Sequence, residues 1–266
     1  MAARTLCEAD VQAVTLMHSG LEHAAATGQL LSAGRVFLPH TVARTASEHL
    51  LRAQHLVDPT ATPEERRRRR LNEWAYAAVE ADYRRRGLTS SVLKTTDWVD
   101  PDEPLDLGKS KEELFAEISE RAAAVGEEML TEGRYAKLPR VAGTDGRLST
   151  MRLAELYTAG GASGIPSFTM RGHSAVTHGT ETGILGHFAD DAPEDRNLGG
   201  VIVPRPEPLD VAATAFSLLG VLLTCLNATD AMRERFGWPA SAAIDRRYEK
   251  ARTRATETWS RAVNSD

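Results

Sequence analysis

Apolar residues recur at helical spacing through most of this chain, and that periodicity constrains the fold more than any other feature. No segment shows the apolar–polar alternation of a convincing strand, and no internal repeat is evident. Start and stop signals divide the pattern into helices, among them 8–26, 29–38, 40–57, 62–86, 110–131, 149–158, 210–236 and 241–263. The sequence therefore predicts an all-α fold, with residues 1–266 forming a single domain that is a bundle of about eight helices.

Two long segments between these helices are predicted to be surface loops. Segment 89–109 is rich in carboxylates and holds two prolines, and its length is typical of a lid. Segment 189–208 is acidic and then proline-rich, with a short extended piece predicted at 198–203.

Composition narrows the class of protein. A hydrophobic content of 42% is sufficient for a sizeable core, so the chain is globular. The net charge of -5 disfavours nucleic acid as a partner, without excluding a local basic patch. Cys7 and Cys225 lie in no zinc or redox spacing, so neither a disulfide framework nor a metal site is predicted.

The first residues lack a secretory pattern, and the most apolar stretch, 211–226, is too short to span a bilayer. We expect a cytoplasmic protein with no membrane partner.

The segment 167–188, just after Tyr157, carries the most unusual chemistry of the chain. It contains an arginine, three histidines and a glutamate, and its glycines fall on one helical stripe, formed by Gly172, Gly179, Gly183 and Gly186. Each glycine inside a helix costs roughly 1 kcal/mol relative to alanine. A neighbouring backbone or a ligand is therefore expected close to the stripe, and the segment is predicted to be a buried central helix.

Arg171 and His178 share one face of this predicted helix and are the candidate catalytic pair. The histidine would move a proton while the arginine binds a developing anion, with Tyr157 and Glu181 as assisting catalytic residues. The candidate substrate-binding residues are His173, Ser174, Gly179, Thr182 and Gly183. We expect a small organic molecule as the partner, and a non-redox acid–base reaction such as cyclisation, elimination or isomerisation.

A non-catalytic interpretation of the same segment stays open. Histidines in a helical bundle are commonly core residues whose polar atoms are hydrogen-bonded internally. In that case the chain is a helical interaction module, and the segment serves packing alone.

Common catalytic signatures are absent from the sequence: it contains no GxSxG, P-loop, GxGxxG or HExxH pattern. His178 with Glu181, and His187 with Asp190, have the spacing of metal-binding pairs on a helix. The helical angle between the two pairs separates them, so no metal and no cofactor is predicted.

An all-α bundle with an arginine several residues ahead of a histidine resembles the HEPN superfamily. The matching residues are Arg171 and His178, within SFTMRGHSAVTHG. The resemblance implies a metal-independent, RNA-cleaving protein that acts as a homodimer, with this pair at the catalytic interface. It supplies a second hypothesis, an RNA-cleaving or RNA-binding protein.

Two further groups of charged residues are interpreted as solvated surfaces. His40, Arg44, Glu48 and His55 share the face of helix 40–57 that lies opposite its apolar residues, where charges one turn apart pair readily. The arginine run 66–70 covers every side of its helix and is surrounded by acids. A solvated face explains this run better than a nucleic-acid site does.

Overall fold

The computed structural model is all-α, as the periodicity predicts. It describes residues 2–35, 38–87, 108–158, 169–171, 173, 177, 197–198, 201–202, 211–239 and 241–263. The helices are α1 (Ala2–Ser32), α2 (Leu38–Val57), α3 (Pro63–Gly87), α4 (Lys111–Ala123), α5 (Thr150–Thr158), α6 (Val211–Phe236) and α7 (Ala242–Val263), with a short 3-10 helix at Gly133–Ala136. Residues 169–171, 173 and 177 are helical as well.

Two short antiparallel hairpins accompany the helices in the described part of the chain. Strand β1 (Met129–Leu130) pairs with β2 (Arg140–Val141), and β3 (Asn197–Leu198) pairs with β4 (Val201–Ile202). The second hairpin confirms the extended piece predicted in loop 189–208. The rest of that loop, and the predicted lid up to residue 107, lie outside the described residues.

The chain divides into two compact units. Unit 1 is Met1–Val11 with Thr60–Leu148, and unit 2 is Gln12–Pro59 with Ser149–Asp266. Helix α1 contributes residues to both. Because two compact units can belong to one folding domain, the single domain stays a prediction. Among the residues that the structure describes, no helix is both long and apolar enough to cross a membrane.

Helix α1 ends later than the stop signal at Gly28 predicts. It continues to Ser32, and Gly34 then adopts a φ of 70°. The Arg35 N–H donates to the Leu30 carbonyl at 3.0 Å, which completes a left-handed glycine C-cap. The predicted start at residue 8 and the predicted break at residues 27–28 are therefore wrong: α1 begins at Ala2 and runs through the break, and a later glycine supplies the cap.

Helix α4 begins where its capping box predicts and ends earlier than expected. Ser110 Oγ accepts a hydrogen bond from the Glu113 N–H at 3.1 Å, and the Glu113 carboxylate accepts one from the Ser110 N–H at 2.6 Å. The helix ends at Ala123, so the predicted end at residue 131 is wrong. Gly126 adopts a φ of 77°, and the Glu127 N–H bonds back into the helix at 2.9 Å, which is the same cap as at the end of α1.

Unit 1 is built on the packing of α3 against α4 and β2. Asn72 on α3 is buried; it accepts a hydrogen bond from the Val141 N–H at 2.8 Å and donates one to Thr144 Oγ1 at 3.2 Å. The β1–β2 hairpin is thereby fixed to α3. The apolar core consists of Leu71, Ala75, Ala78, Phe115, Ile118, Ala122 and Val141.

Arginines of the run 66–70 pair within unit 1. Arg66 is buried and ion-paired with Asp10, and Arg68 donates to Glu127 at 2.7 Å. The guanidinium of Arg70 lies over a tryptophan ring. The interpretation of the whole run as a solvated face is wrong at Arg66, because that position is covered by α1.

Unit 2 is organised around α2, which packs against α5 and α6, while α6 also packs against α7. His40 and His55 on α2 are both buried. The predicted solvated face of this helix is therefore wrong at both positions, since α2 is covered on more than one side. The apolar core consists of Ala13, Met17, Ala43, Ala46, Leu50, Ala53, Leu56, Val57, Val221, Cys225, Ala228, Ala231 and Met232.

Helix α6 comes very close to the helical residues that begin at 169. A Cβ atom added to Gly220 would lie 2.9 Å from both Cβ and Cγ2 of Thr169, which is closer than carbon atoms normally approach. Thr169 and Met170 are buried there. A glycine thus permits close helix packing at the start of the segment 167–188, but it belongs to α6; the stripe glycines of the segment lie outside the described residues.

Candidate acid–base site

Tyr157, near the end of α5, joins two polar side chains from the end of α2. Its hydroxyl lies 2.7 Å from His55 Nδ1 and donates to Asp58 Oδ2 at 3.1 Å. His55 and Asp58 are separated by about one helical turn, which directs both toward the same neighbour. All three residues belong to unit 2. The structure therefore places Tyr157, a predicted catalytic residue, in a histidine–tyrosine–aspartate cluster.

The hydrogen bonds of this cluster fit one arrangement of its protons. A phenol has one proton, and Tyr157 donates it to the Asp58 carboxylate. With that donation the phenol oxygen is an acceptor toward His55 Nδ1, and the matching tautomer of the imidazole carries its proton on Nδ1. In the neutral imidazole the lone pair is consequently on Nε2. This is the arrangement of a base that is oriented by a second group, which is itself oriented by a carboxylate.

Burial strengthens these interactions. His55 and Asp58 each have 7% of their surface exposed, whereas Tyr157 is half-buried. Charge–dipole interactions are stronger in such surroundings than in water. Asp58 directly follows the last residue of α2, and a helix C-terminus disfavours negative charge. An acid at this position does not serve the stability of the helix, which is typical of a functional residue.

Helix α6 also contacts Tyr157. The Asn227 side chain donates to the backbone carbonyl of Tyr157 at 3.4 Å. The rings of His55 and Tyr157 meet edge to face, with centroids 5.9 Å apart. The phenol is thus positioned through both its backbone and its ring.

Arg171, predicted as the anion clamp of an interior site, is on the surface. Its side chain is 71% exposed and lies 3.7 Å from Glu155, which also accepts a hydrogen bond from Arg152 at 3.2 Å. Exposed ion pairs of this kind contribute little to stability. The expected interior position is therefore not found at Arg171, and its catalytic role stays a prediction.

His173, predicted to bind substrate, is buried, with 1% of its surface exposed. Its ring lies 5.3 Å from the ring of His40, at an angle of 58°. Thr177 donates its hydroxyl proton to the His173 carbonyl at 2.7 Å. The structure thus brings together two histidines from α2 and the segment 167–188, and substrate binding by His173 stays a prediction.

A second pair of histidines links α1 to α2. His49 Nδ1 lies 3.1 Å from Ser19 Oγ, and its ring meets the ring of His23 edge to face at 5.5 Å. Burial, followed by the neighbouring His23, lowers the pKa of His49 below its ordinary value. A charged His49 is therefore disfavoured in the folded protein.

The other predicted site residues lie outside the described part of the chain. They are Ser174, His178, Gly179, Glu181, Thr182 and Gly183. His187 and Asp190, the second of the two weighed metal pairs, lie outside it as well.

Sequence reasoning missed two members of the cluster, His55 and Asp58. The sequence predicts His55 on a solvated face, and it places Asp58 before Pro59, in a pair that is typical of a helix end. The available signal was the acid at the end of a helix, where the helix dipole disfavours it. A histidine one turn earlier would have made that position a candidate.

Metal binding and thiolate chemistry find little support among the described residues. Within them, no group of three or more histidine, cysteine, aspartate or glutamate side chains is arranged to hold a metal ion. Burial raises the pKa of the Cys225 thiol to about 12, so this residue is not a thiolate nucleophile. Among the described residues of unit 2, the groups that the structure brings together suit proton transfer.

No family model, no curated protein and no solved structure matches this chain. The structure defines the class, an all-α helical protein. What it does has to be argued from the site itself.

Proposed function

We propose that this chain performs non-redox acid–base chemistry on a small organic molecule at the cluster of His55, Tyr157 and Asp58. The observation that supports the proposal is the Tyr157 hydroxyl, which lies within hydrogen-bond distance of both a buried imidazole and a buried carboxylate. Reactions that remove a proton from one atom and return it to another fit this group. They include the isomerisation, elimination and cyclisation expected from the sequence.

Each residue has a separate role in the proposed reaction. His55 Nε2 accepts a proton from the substrate, which leaves the imidazole with a positive charge. The phenol oxygen of Tyr157 accepts a hydrogen bond from Nδ1–H of that imidazolium, and Asp58 holds the phenol in place while adding a compensating negative charge. The same imidazolium then returns the proton to another atom of the substrate, so no electron acceptor is needed.

Hydrogen–deuterium exchange tests the proposal without knowledge of the whole reaction. The protein would be incubated in deuterium oxide with a library of carbonyl compounds and carboxylic acids, and deuterium gained at carbon would be measured by mass spectrometry. A general base is expected to speed exchange of its substrate by about 10²-fold or more. His55→Gln should abolish this gain, and Tyr157→Phe should reduce it.

Two control variants separate catalysis from folding. Tyr83→Phe removes a hydroxyl from an 80% exposed tyrosine, and His18→Gln removes an exposed imidazole. Both should exchange deuterium at the rate of the original protein. The proposal is contradicted when a folded His55→Gln variant keeps the full rate on a compound that the protein deuterates.

The RNA-cleaving hypothesis rests on different residues and is separable by experiment. It requires Arg171 and His178, so His178→Ala should abolish any cleavage of single-stranded RNA, and His55→Gln should leave it unchanged. Cleavage that responds to His178 alone would favour this alternative over the proposed cluster.

A further inference from the structure

Unit 1 contains a second polar cluster, which the proposed reaction does not use. It lies on the β1–β2 hairpin, where Tyr135 of the 3-10 helix Gly133–Ala136 is placed between Arg134 and Arg140, the first residue of β2. Arg134 Nη2 donates to the Tyr135 hydroxyl at 2.6 Å, and Arg140 Nη2 donates to the same oxygen at 3.3 Å. Both guanidinium carbons also lie close to the phenol ring, at 4.8 and 5.0 Å from its centre.

Arg134 and Arg140 differ from other arginines of unit 1 in their partners. Arg66, Arg121 and Arg147 each pair with a carboxylate. Within the part of the chain that the structure describes, no carboxylate lies at ion-pair distance from Arg134 or Arg140. The Nε atom of Arg140 is in addition buried without a hydrogen-bond partner among those residues. The cluster thus holds two positive charges that its described surroundings do not compensate.

Both guanidinium groups converge on one uncharged oxygen. Guanidinium groups form their strongest hydrogen bonds with negatively charged oxygens, and here both donate to a neutral hydroxyl. Two full charges held against one oxygen repel each other, and a bound anion would relieve that repulsion. Both acceptor positions of the Tyr135 oxygen are used by the arginines, so its own proton is available for donation outward.

We propose that Arg134, Tyr135 and Arg140 bind the phosphate group of a small phosphate monoester. Such a group carries nearly two negative charges at neutral pH and offers three terminal oxygens. Its charge therefore matches that of two guanidinium groups, and its three oxygens match three donor groups, the two guanidinium groups and one hydroxyl. Lys137, exposed two residues after Tyr135, adds positive charge next to the site.

The framework under this cluster is rigid enough for a binding site. Arg140 belongs to β2, where it pairs with Leu130 of β1. The following residue, Val141, is buried and bonded through its N–H to Asn72 of α3. Arg140 is thus held by strand pairing, while Arg134 and Tyr135 are held in the short helix of the connection.

Calorimetric titration with methyl phosphate, at constant ionic strength set by chloride, tests the proposal. Arg134→Gln and Arg140→Gln should each weaken binding by about tenfold or more, because each removes a charge-assisted hydrogen bond. Tyr135→Phe should weaken it by a few-fold. Arg84→Gln is the matched control, since it removes an equal charge from a 78% exposed arginine of the same unit, and it should leave binding unchanged.

Three outcomes would overturn the proposal. One is methyl phosphate binding that is no tighter than chloride binding in the original protein. A second is an equal loss of affinity in Arg84→Gln and Arg134→Gln, which would indicate only a diffuse effect of charge. The third is binding of dimethyl phosphate, or of a single-stranded RNA, as tight as that of methyl phosphate, because a site for a monoester dianion should prefer the doubly charged group. Thermal unfolding of each variant checks that the folded state is retained.

Discussion

Replacing Tyr157 with phenylalanine removes one oxygen atom and the two hydrogen bonds that assemble the candidate site. The bond to His55 joins a phenol to an imidazole and is worth about 0.5–1.5 kcal/mol, and the bond to the Asp58 carboxylate is worth about 1.5–3 kcal/mol. The loss in the free energy of unfolding should therefore be about 2–4.5 kcal/mol. For a chain of this size, that corresponds to a decrease of about 5–15 °C in the melting temperature.

Denaturant-induced unfolding of the two tyrosine variants measures this loss directly. Tyr83→Phe is the control, because Tyr83 is 80% exposed and its replacement should change the free energy of unfolding by no more than about 0.5 kcal/mol. Equal stability of Tyr157→Phe and Tyr83→Phe would refute the reasoning. In that case the two short contacts of the phenol would contribute nothing to the folded state.

Three further predictions follow from packing and electrostatics. Gly220→Ala should lower the free energy of unfolding by about 1–3 kcal/mol through overpacking, and an unchanged denaturation midpoint would contradict the close approach of α6. Since burial and then His23 lower the pKa of His49, the unfolded chain binds more protons just below pH 6.5. The free energy of unfolding should therefore decrease as the pH falls below 6.5. Over the same pH range, the melting temperature of His49→Gln should decrease less than that of the original protein. Hydrogen bonds from Arg134 and then Arg140 keep the pKa of Tyr135 below 10.0, so Arg134→Gln should raise that pKa. The absorbance of tyrosinate measures the titration. An unchanged titration curve would contradict the contact between Arg134 and Tyr135.

The fold class was predictable from sequence because helical periodicity is a local property. The positions where helices end were harder to predict, as α1 demonstrates. Gly20, Gly28 and Gly34 all lie near its second half, and each is a local candidate for a stop. Gly20 instead makes room for Leu50 of α2, where a Cβ atom would meet the leucine side chain at 2.7 Å. Only Gly34 adopts the left-handed conformation that closes the helix. Tertiary packing decides which glycine ends the helix, and the local sequence does not specify that packing.

The candidate site was predictable in one residue of three. Tyr157 is a candidate from sequence because it precedes the histidine-rich segment, but its partners His55 and Asp58 lie 102 and 99 residues earlier in the chain. The apolar pattern of α2 indicated one buried face, and it placed His55 opposite that face. Burial on several sides depends on the packing of α5 and α6 against α2, which no local pattern encodes. The chemistry of the site could be anticipated, and the contact that creates it could not.

Heteronuclear NMR of the imidazole nitrogens tests the central claim most directly, which is that Tyr157 orients His55 for proton transfer. His55→Gln identifies the signal, and the spectrum is recorded where the ring is neutral. We predict a proton on Nδ1 and none on Nε2, with this tautomer retained in Tyr83→Phe and replaced by a mixture in Tyr157→Phe. A neutral His55 with its proton on Nε2, or one that does not respond to Tyr157→Phe, would contradict the account.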